Sequence, residues 1–126
     1  MPNPLALIIE DEEDLQYIFS EALRLAGFET AIAGDGREAL AQLGKLTPAL
    51  ITLDLNLPYV PGPAILQHIR SEPCLAQARV ILITAQPQSA RVLQDNADLT
   101  LIKPIRIDQL TELAKRLRPQ ISDPAN

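Results

Sequence analysis

The amino-acid sequence predicts an α/β fold, in which a parallel sheet of five strands carries helices on both of its faces. Five short apolar runs recur along the chain, and segments with a helical spacing of apolar residues separate them. Strands that alternate with helices in this way imply a parallel sheet that is covered on both faces. The 126 residues suffice for one such domain and are too few for a second sizeable core.

The apolar runs are the predicted strands. The first, third and fourth runs are apolar at consecutive positions, which is typical of strands buried on both sides of a parallel sheet. In chain order, the runs cover residues 5 to 9, 28 to 33, 49 to 53, 79 to 83 and 99 to 102.

Five helices are predicted between and after these strands. The first has apolar residues at helical spacing from Leu15 to Ala26, and Gly27 stands at the position of a C-cap glycine. The second covers residues 37 to 45 and the third residues 63 to 71. The fourth is the shortest and covers residues 88 to 94, whereas the fifth has its periodic positions between residues 110 and 121, with a stop at Pro119.

Composition and charge exclude several classes of function. Apolar residues make up 47% and charged residues 21% of the chain, which argues against wholesale disorder. A net charge of −5 argues against general binding to nucleic acid or to an anionic membrane. Since the chain lacks both a membrane-length apolar run and a secretory signal pattern, we expect a cytoplasmic protein. Cys74 is the one cysteine, and we predict that it is a packing residue.

Acidic and polar residues are concentrated where the predicted strands end. Up to Pro63 the chain has ten acidic and three basic residues, and five of the acids are consecutive, at residues 10 to 14, directly after the first strand. Ligands of open parallel sheets bind at the carboxyl ends of the strands. Four strands place candidates at that edge: Glu10 and Asp11, then Asp54, then Thr84 and Ala85, then Lys103. Each has a structural alternative when taken alone, such as helix capping for the first two acids, but four coincidences are improbable.

The charges at this edge predict a metal site. Glu10, Asp11 and Asp54 bring three negative charges together and Lys103 removes one, so a divalent cation brings the sum to zero. A few oxygen ligands with room for water suit Mg²⁺. A carboxylate beside Mg²⁺, an ammonium group and the Thr84 hydroxyl also suits phosphoryl transfer, with the carboxylate as the attacking group.

In these motifs the chain resembles the receiver domain of bacterial two-component response regulators, of the kind found in chemotaxis regulators. The resemblance covers essentially the whole chain. It implies a doubly wound, flavodoxin-like sheet with strand order 2-1-3-4-5. The matching stretches are LIIEDE at residues 7 to 12, LDLNLP at 53 to 58 with Gly62, ILITA at 81 to 85 and IKP at 102 to 104.

The resemblance also implies a role for each residue of the acidic site. Asp54 is expected to be the phosphoacceptor, which takes a phosphoryl group from the phosphohistidine of a sensor kinase. Asp11 and Asp54 are expected to bind Mg²⁺ directly, with Glu10 acting through water and Asn56 supplying its backbone carbonyl. The chain is then a signalling domain that phosphorylates and dephosphorylates itself, and not a turnover enzyme.

Further roles follow for the other two strand ends. The resemblance implies that Thr84 turns toward the phosphoryl group, that Ala85 leaves room for it, and that Lys103 forms an ion pair with it. It also implies a cis peptide bond between Lys103 and Pro104, which is uncommon enough to be a sharp test.

Two departures from the family pattern affect the usual signalling switch. Three positions before the lysine, the family has an aromatic residue that changes rotamer with the threonine, and here this position is Thr100. The stretch from Thr84 to Lys103 is also shorter than usual by about one helical turn, ~3–4 residues. Both changes fall on the face of helix 4, strand 5 and helix 5, through which a homodimer or an output partner is possible. We therefore hypothesise an altered or weakened switch.

The sequence leaves three alternative functions open. A haloacid-dehalogenase-type phosphatase requires a second aspartate two residues after the first, as general acid, and here Asn56 stands there. A flavin- or nucleotide-binding module requires a phosphate loop rich in glycine, serine or threonine after strand 1, where this chain has five acids. A degenerate receiver that acts only through protein contacts is the third.

We predict that residues 1 to 120 form the receiver domain and that residues 121 to 126 are a frayed tail. The tail is too short for an output domain, so the chain is either a stand-alone receiver or a piece of a longer regulator. The expected partner is a sensor histidine kinase or a phosphotransfer protein.

Overall fold

A computed structural model describes residues 3 to 119, and the predicted tail at 121 to 126 lies outside the described residues. The described residues form one five-stranded sheet and five α-helices. In chain order these are β1 (Leu5–Ile9), α1 (Glu13–Leu25), β2 (Glu29–Ala33), α2 (Gly36–Leu43), β3 (Leu50–Asp54), α3 (Gly62–Ser71), β4 (Arg79–Thr84), α4 (Pro87–Arg91), β5 (Leu99–Ile102) and α5 (Ile107–Leu117). Short 3₁₀ turns follow α3 at Pro73–Leu75 and α4 at Gln94–Asn96.

All strand pairs are parallel, and the strand order is β2-β1-β3-β4-β5. This confirms the order that the resemblance implied. The topological switch point, where the strand order changes direction, lies between β1 and β3. These two strands are neighbours, with Ile9 opposite Leu53. The residues that follow these two strands are therefore adjacent, at the point where such sheets bind ligands.

The two faces of the sheet are covered by different helices, as predicted. On one face, Phe19 of α1 and Leu110 of α5 belong to a buried apolar cluster with strand residues such as Ile8. On the other face, Leu43 of α2 and Ile65 of α3 pack in a second cluster. Within residues 3 to 119, no helix is long and apolar enough to cross a membrane.

Three turns show why the elements begin and end where they do. Gly27 follows α1 with a φ of 95°, a conformation that favours glycine, and this agrees with its predicted place as a helix stop. The Asp35 carboxylate accepts a hydrogen bond from the Glu38 N–H at 2.8 Å, which caps α2. Gly62 begins α3 against the chain after β3, where a Cβ atom would lie 2.6 Å from the Leu55 Cα.

The fourth helical segment differs most from its prediction. One helix was expected over residues 88 to 94, whereas α4 ends at Arg91 and a separate 3₁₀ turn covers Gln94–Asn96. Only one α4 residue, Ala90, is buried, so little apolar burial supports a longer helix. The prediction for Cys74 was wrong, because it lies exposed in the 3₁₀ turn after α3.

Asp98 anchors the start of β5. Its carboxylate accepts a hydrogen bond from the Val80 N–H at 2.7 Å and forms ion pairs with Arg70 at 3.2 Å and Arg79 at 2.9 Å. Burial alone would raise the pKa of Asp98, but these donors outweigh it and hold the pKa below its usual value. These contacts of Asp98 hold the start of β5 beside β4, and they thereby help to position Lys103, the residue that follows β5.

Candidate functional site

The carboxyl ends of β1, β3, β4 and β5 meet at one cleft of about 280 Å³. Six of the sequence-predicted residues line it: Asp11, Asp54, Asn56, Thr84, Ala85 and Lys103. Glu10 lies beneath, fully buried. Thr100 lies on β5 opposite Leu82, outside the lining of the cleft, and Pro104 is also outside it.

Asp54 is the last residue of β3, and its side chain is 3% exposed. Both of its carboxylate oxygens are engaged: Oδ1 accepts a hydrogen bond from the Asn56 N–H at 2.9 Å, and Oδ2 accepts one from Lys103 Nζ at 3.1 Å. The next residue, Leu55, donates its N–H to the Ile83 carbonyl at 3.0 Å, which extends the pairing of β3 with β4 by one bond. The sheet therefore fixes the backbone that carries this carboxylate.

Glu10 and Asp11 follow β1 and differ sharply in exposure. Asp11 is exposed, whereas Glu10 has no exposed surface. Glu10 Oε2 accepts a hydrogen bond from the Glu12 N–H at 3.2 Å, and Oε1 lies 3.4 Å from Lys103 Nζ without a hydrogen-bond partner among the described residues. Burial, together with repulsion from Asp54, raises the pKa of Glu10 to about 7.

The three carboxylates form one acidic cluster. One oxygen each from Glu10, Asp11 and Asp54 can be chosen so that all lie within 4.8 Å of one another. This separation leaves room for one cation between them. Together with the unpartnered buried oxygen of Glu10, it fits an oxygen-ligated divalent ion.

Lys103 follows β5, and its side chain lines the cleft beside the acids. Its backbone N–H donates to the Thr84 carbonyl at 2.9 Å, and its peptide bond to Pro104 is cis, the isomer that the resemblance implies. Burial alone would lower the pKa of Lys103, but its hydrogen bond to Asp54 and the charges of Asp54 and Glu10 outweigh burial and raise the pKa. The ammonium group is therefore held charged between two carboxylates.

Thr84 ends β4 and is buried, and Ala85 beside it is exposed. The Thr84 hydroxyl accepts a hydrogen bond from the Gln86 N–H at 3.0 Å and donates one to the Gln86 carbonyl at 3.4 Å. Both bonds are local to the turn after β4. Thr84 also lines the cleft, and among the described residues its hydroxyl bonds only within this turn.

Gln16 of α1 is a contact of the site that sequence reasoning missed. Its side-chain Nε2 donates a hydrogen bond of 2.7 Å to the backbone carbonyl of Glu10. The sequence offers no distinctive signal for this contact, because a glutamine in an amphipathic helix is ordinary. Only the packing of α1 beside the end of β1 makes it visible.

Known proteins resemble this chain in sequence and in fold. The family model for the response regulator receiver domain matches residues 6–115. The DNA-binding response regulator MtrA of Mycolicibacterium paratuberculosis is 31% identical over 123 residues, covering 94% of this chain and 53% of that protein. The transcriptional regulatory protein PrrA of Mycobacterium bovis is 31% identical over 120 residues, covering 91% of this chain and 50% of that protein.

Solved structures give the same result. The chemotaxis response regulator CheY4 of Vibrio cholerae superimposes with a TM-score of 0.84 at 25% identity, covering 91% of this chain and 98% of that one. The response regulator TrrA of Thermotoga maritima, solved in complex with Mg²⁺-BeF, gives a TM-score of 0.80 at 28% identity, covering 90% of this chain and 98% of that one. The chain spans about half the length of the curated relatives it matches. It belongs to the response regulator receiver domain family, whose members are signalling domains.

Proposed function

We propose that this chain is a phosphoacceptor that takes a phosphoryl group from the phosphohistidine of a sensor kinase, or of a phosphotransfer protein, onto Asp54. One observation carries the proposal: Glu10, Asp11 and Asp54 converge at a single cleft, where Lys103 forms ion pairs with Glu10 and Asp54. Taken one at a time, these acids could have capped helices on separate surfaces of the protein. Their convergence supports a shared chemical task.

The acidic cluster fits Mg²⁺. Asp11, Asp54 and the backbone carbonyl of Asn56 would hold it directly, with Glu10 acting through water. The ion would offset the charge of the carboxylates and of the incoming phosphoryl oxygens. With all three carboxylates ionised, two negative charges remain after Lys103 is counted, so the ion would also complete the charge balance of the cleft.

Four residues of the chain have separate roles in the proposed phosphoryl transfer. An Asp54 carboxylate oxygen forms a bond to phosphorus as the N–P bond of the donor breaks, and the electron pair of that bond returns to the imidazole nitrogen. Lys103 pairs with the phosphoryl oxygens, and the Thr84 hydroxyl leaves Gln86 to donate to them. The exposed Ala85 leaves space for the group.

Asn56 favours a phosphoacceptor over a phosphatase. An enzyme that turns over phosphate esters needs a general acid to protonate the leaving group, and an amide does not serve as one. We therefore propose that the phosphoryl group on Asp54 is lost only by slow hydrolysis. Asn56 and Gln86 line the cleft and are placed to tune its lifetime.

The proposal is tested by incubating the protein with acetyl phosphate, with Mg²⁺ or with a chelator, and measuring its intact mass. We expect a single phosphoryl adduct with Mg²⁺ and none with the chelator, because the uncompensated acids repel the donor. Absence of an adduct under both conditions would contradict the proposal. An adduct that forms equally well with the chelator would contradict its metal dependence.

We further propose that the phosphoryl signal does not pass through a rotating aromatic residue. Thr100 is half-buried and short, so it has no ring to swing between a buried and an exposed position. On adding beryllofluoride and Mg²⁺, we expect backbone amide signals to shift strongly at Thr84 and little at Thr100. A large shift at Thr100 would contradict this proposal. It would indicate instead that the phosphoryl signal reaches the family's usual output face, formed by α4, β5 and α5.

A further inference from the structure

Gln16 connects helix α1 to the turn that carries the first two acids. Its side chain is half-buried, and its Nε2 donates to the Glu10 carbonyl at 2.7 Å. The same amide lies near the turn after β2, because a Cβ atom on Gly34 would lie 3.7 Å from Nε2. One side chain therefore fills the junction between the ends of β1 and β2.

We propose that Gln16 is a positioning residue for Asp11, and through it for the Mg²⁺ site on which the proposed function rests. The carbonyl that it binds belongs to the peptide unit joining Glu10 to Asp11. Because a peptide unit is planar, fixing its oxygen also fixes the direction in which the chain enters Asp11. The exposed Asp11 side chain takes its position from this backbone.

Among the described residues, two other hydrogen bonds involve Glu10, and neither restrains this peptide oxygen. The Glu10 N–H donates to the Ala33 carbonyl at 3.1 Å, and the Glu12 N–H donates to Glu10 Oε2 at 3.2 Å. The first fixes the peptide unit before Glu10, and the second depends on the Glu10 carboxylate itself. Gln16 is thus the side chain from outside the turn that orients the Glu10–Asp11 unit.

A purely structural role is the competing explanation, and the chain contains a matched control for it. Gln42 of α2 donates its Nε2 to the Ile32 carbonyl at 2.8 Å, which is the same kind of bond between a helix and a strand, and also to Glu38 Oε1 at 3.3 Å within its own helix. Ile32 lies on the edge strand β2 opposite Ile8, and it is not part of the turn that carries Glu10 and Asp11. Losing either bond removes one helix-to-strand contact, but only the loss at Gln16 disturbs the acidic turn.

The test compares Gln16→Met and Gln42→Met with the wild-type protein. Methionine keeps the length and helix propensity of glutamine but donates no hydrogen bond. Mg²⁺ affinity is measured by titration, and the backbone amide signal of Asp11 is recorded in the metal-free protein. We expect Mg²⁺ to bind about tenfold more weakly to Gln16→Met, within the range for groups that orient metal ligands. We expect a shifted Asp11 amide in that variant, and wild-type behaviour in Gln42→Met.

Each outcome discriminates. Wild-type affinity and an unshifted Asp11 amide in Gln16→Met would overturn the inference, as would equal losses in the two variants. Failure of the wild-type protein to bind Mg²⁺ would instead overturn the proposed function, and the inference with it. If methionine disturbs the packing of α1, as judged by circular dichroism, Gln16→Ala serves as the second variant and carries the same expectation.

Discussion

The Asp54→Asn variant is expected to acquire no phosphoryl group from a small-molecule donor in the presence of Mg²⁺, whereas the wild-type protein acquires one. The amide that replaces the carboxylate is not a nucleophile, and loss of a nucleophile slows such reactions by about a thousandfold or more. Asparagine retains an oxygen that can accept the Asn56 N–H, so the loop after β3 keeps its local contact. Intact mass, followed over time, gives the result.

Asp35→Asn is the matched control for this change. Asp35 lies in the turn at the end of β2, on the same edge of the sheet, and its carboxylate caps α2 through the Glu38 N–H. Asparagine caps a helix as well as aspartate does, so this variant should fold and become phosphorylated as the wild-type protein does. A phosphoryl group that persists in Asp54→Asn would place the acceptor elsewhere and contradict the proposed function.

The Gly62→Ala substitution is expected to destabilise the fold by about 1–3 kcal/mol, in the range for overpacking against fixed atoms. Its added Cβ would lie 2.6 Å from the Leu55 Cα and 3.0 Å from the Asp54 carbonyl oxygen. Both are backbone atoms, which cannot rotate away as the end of a side chain can. Since they belong to the segment that carries the acceptor, we also expect weaker Mg²⁺ binding. Urea denaturation and Mg²⁺ titration measure the two effects.

Gly44→Ala provides the control for the glycine itself. Gly44 follows α2 in a helical conformation, and the nearest atom to its added Cβ, the Ala41 carbonyl oxygen, lies at 3.4 Å. With an allowed backbone and adequate space, alanine there should be neutral or stabilising by about 0.4–1 kcal/mol, because it restricts the unfolded chain. Equal losses of stability in the two variants would show that steric contact at Gly62 is not the cause.

Strands and their approximate limits were predictable because a strand buried on both faces needs an uninterrupted apolar run. The observed β1 and β5 have the predicted bounds, and β4 extends the prediction by one residue, to Thr84. The predictions of helix ends were less accurate than those of strand ends. For example, α2 was predicted over residues 37 to 45, but it begins at Gly36 and ends at Leu43. The strand order came from the resemblance, because periodicity alone does not say which strands are neighbours.

The sequence by itself determined the strands, the order of strands and helices along the chain, and the polar residues at the strand ends, since these depend on local pattern. The tertiary structure alone decided that Glu10 is buried while its neighbour Asp11 is exposed, and that Gln16 binds the carbonyl between them. It also decided that α4 stops after five residues. The physical reason is that burial and hydrogen bonding between distant segments depend on how the helices pack against the sheet, and a one-dimensional pattern does not contain that packing.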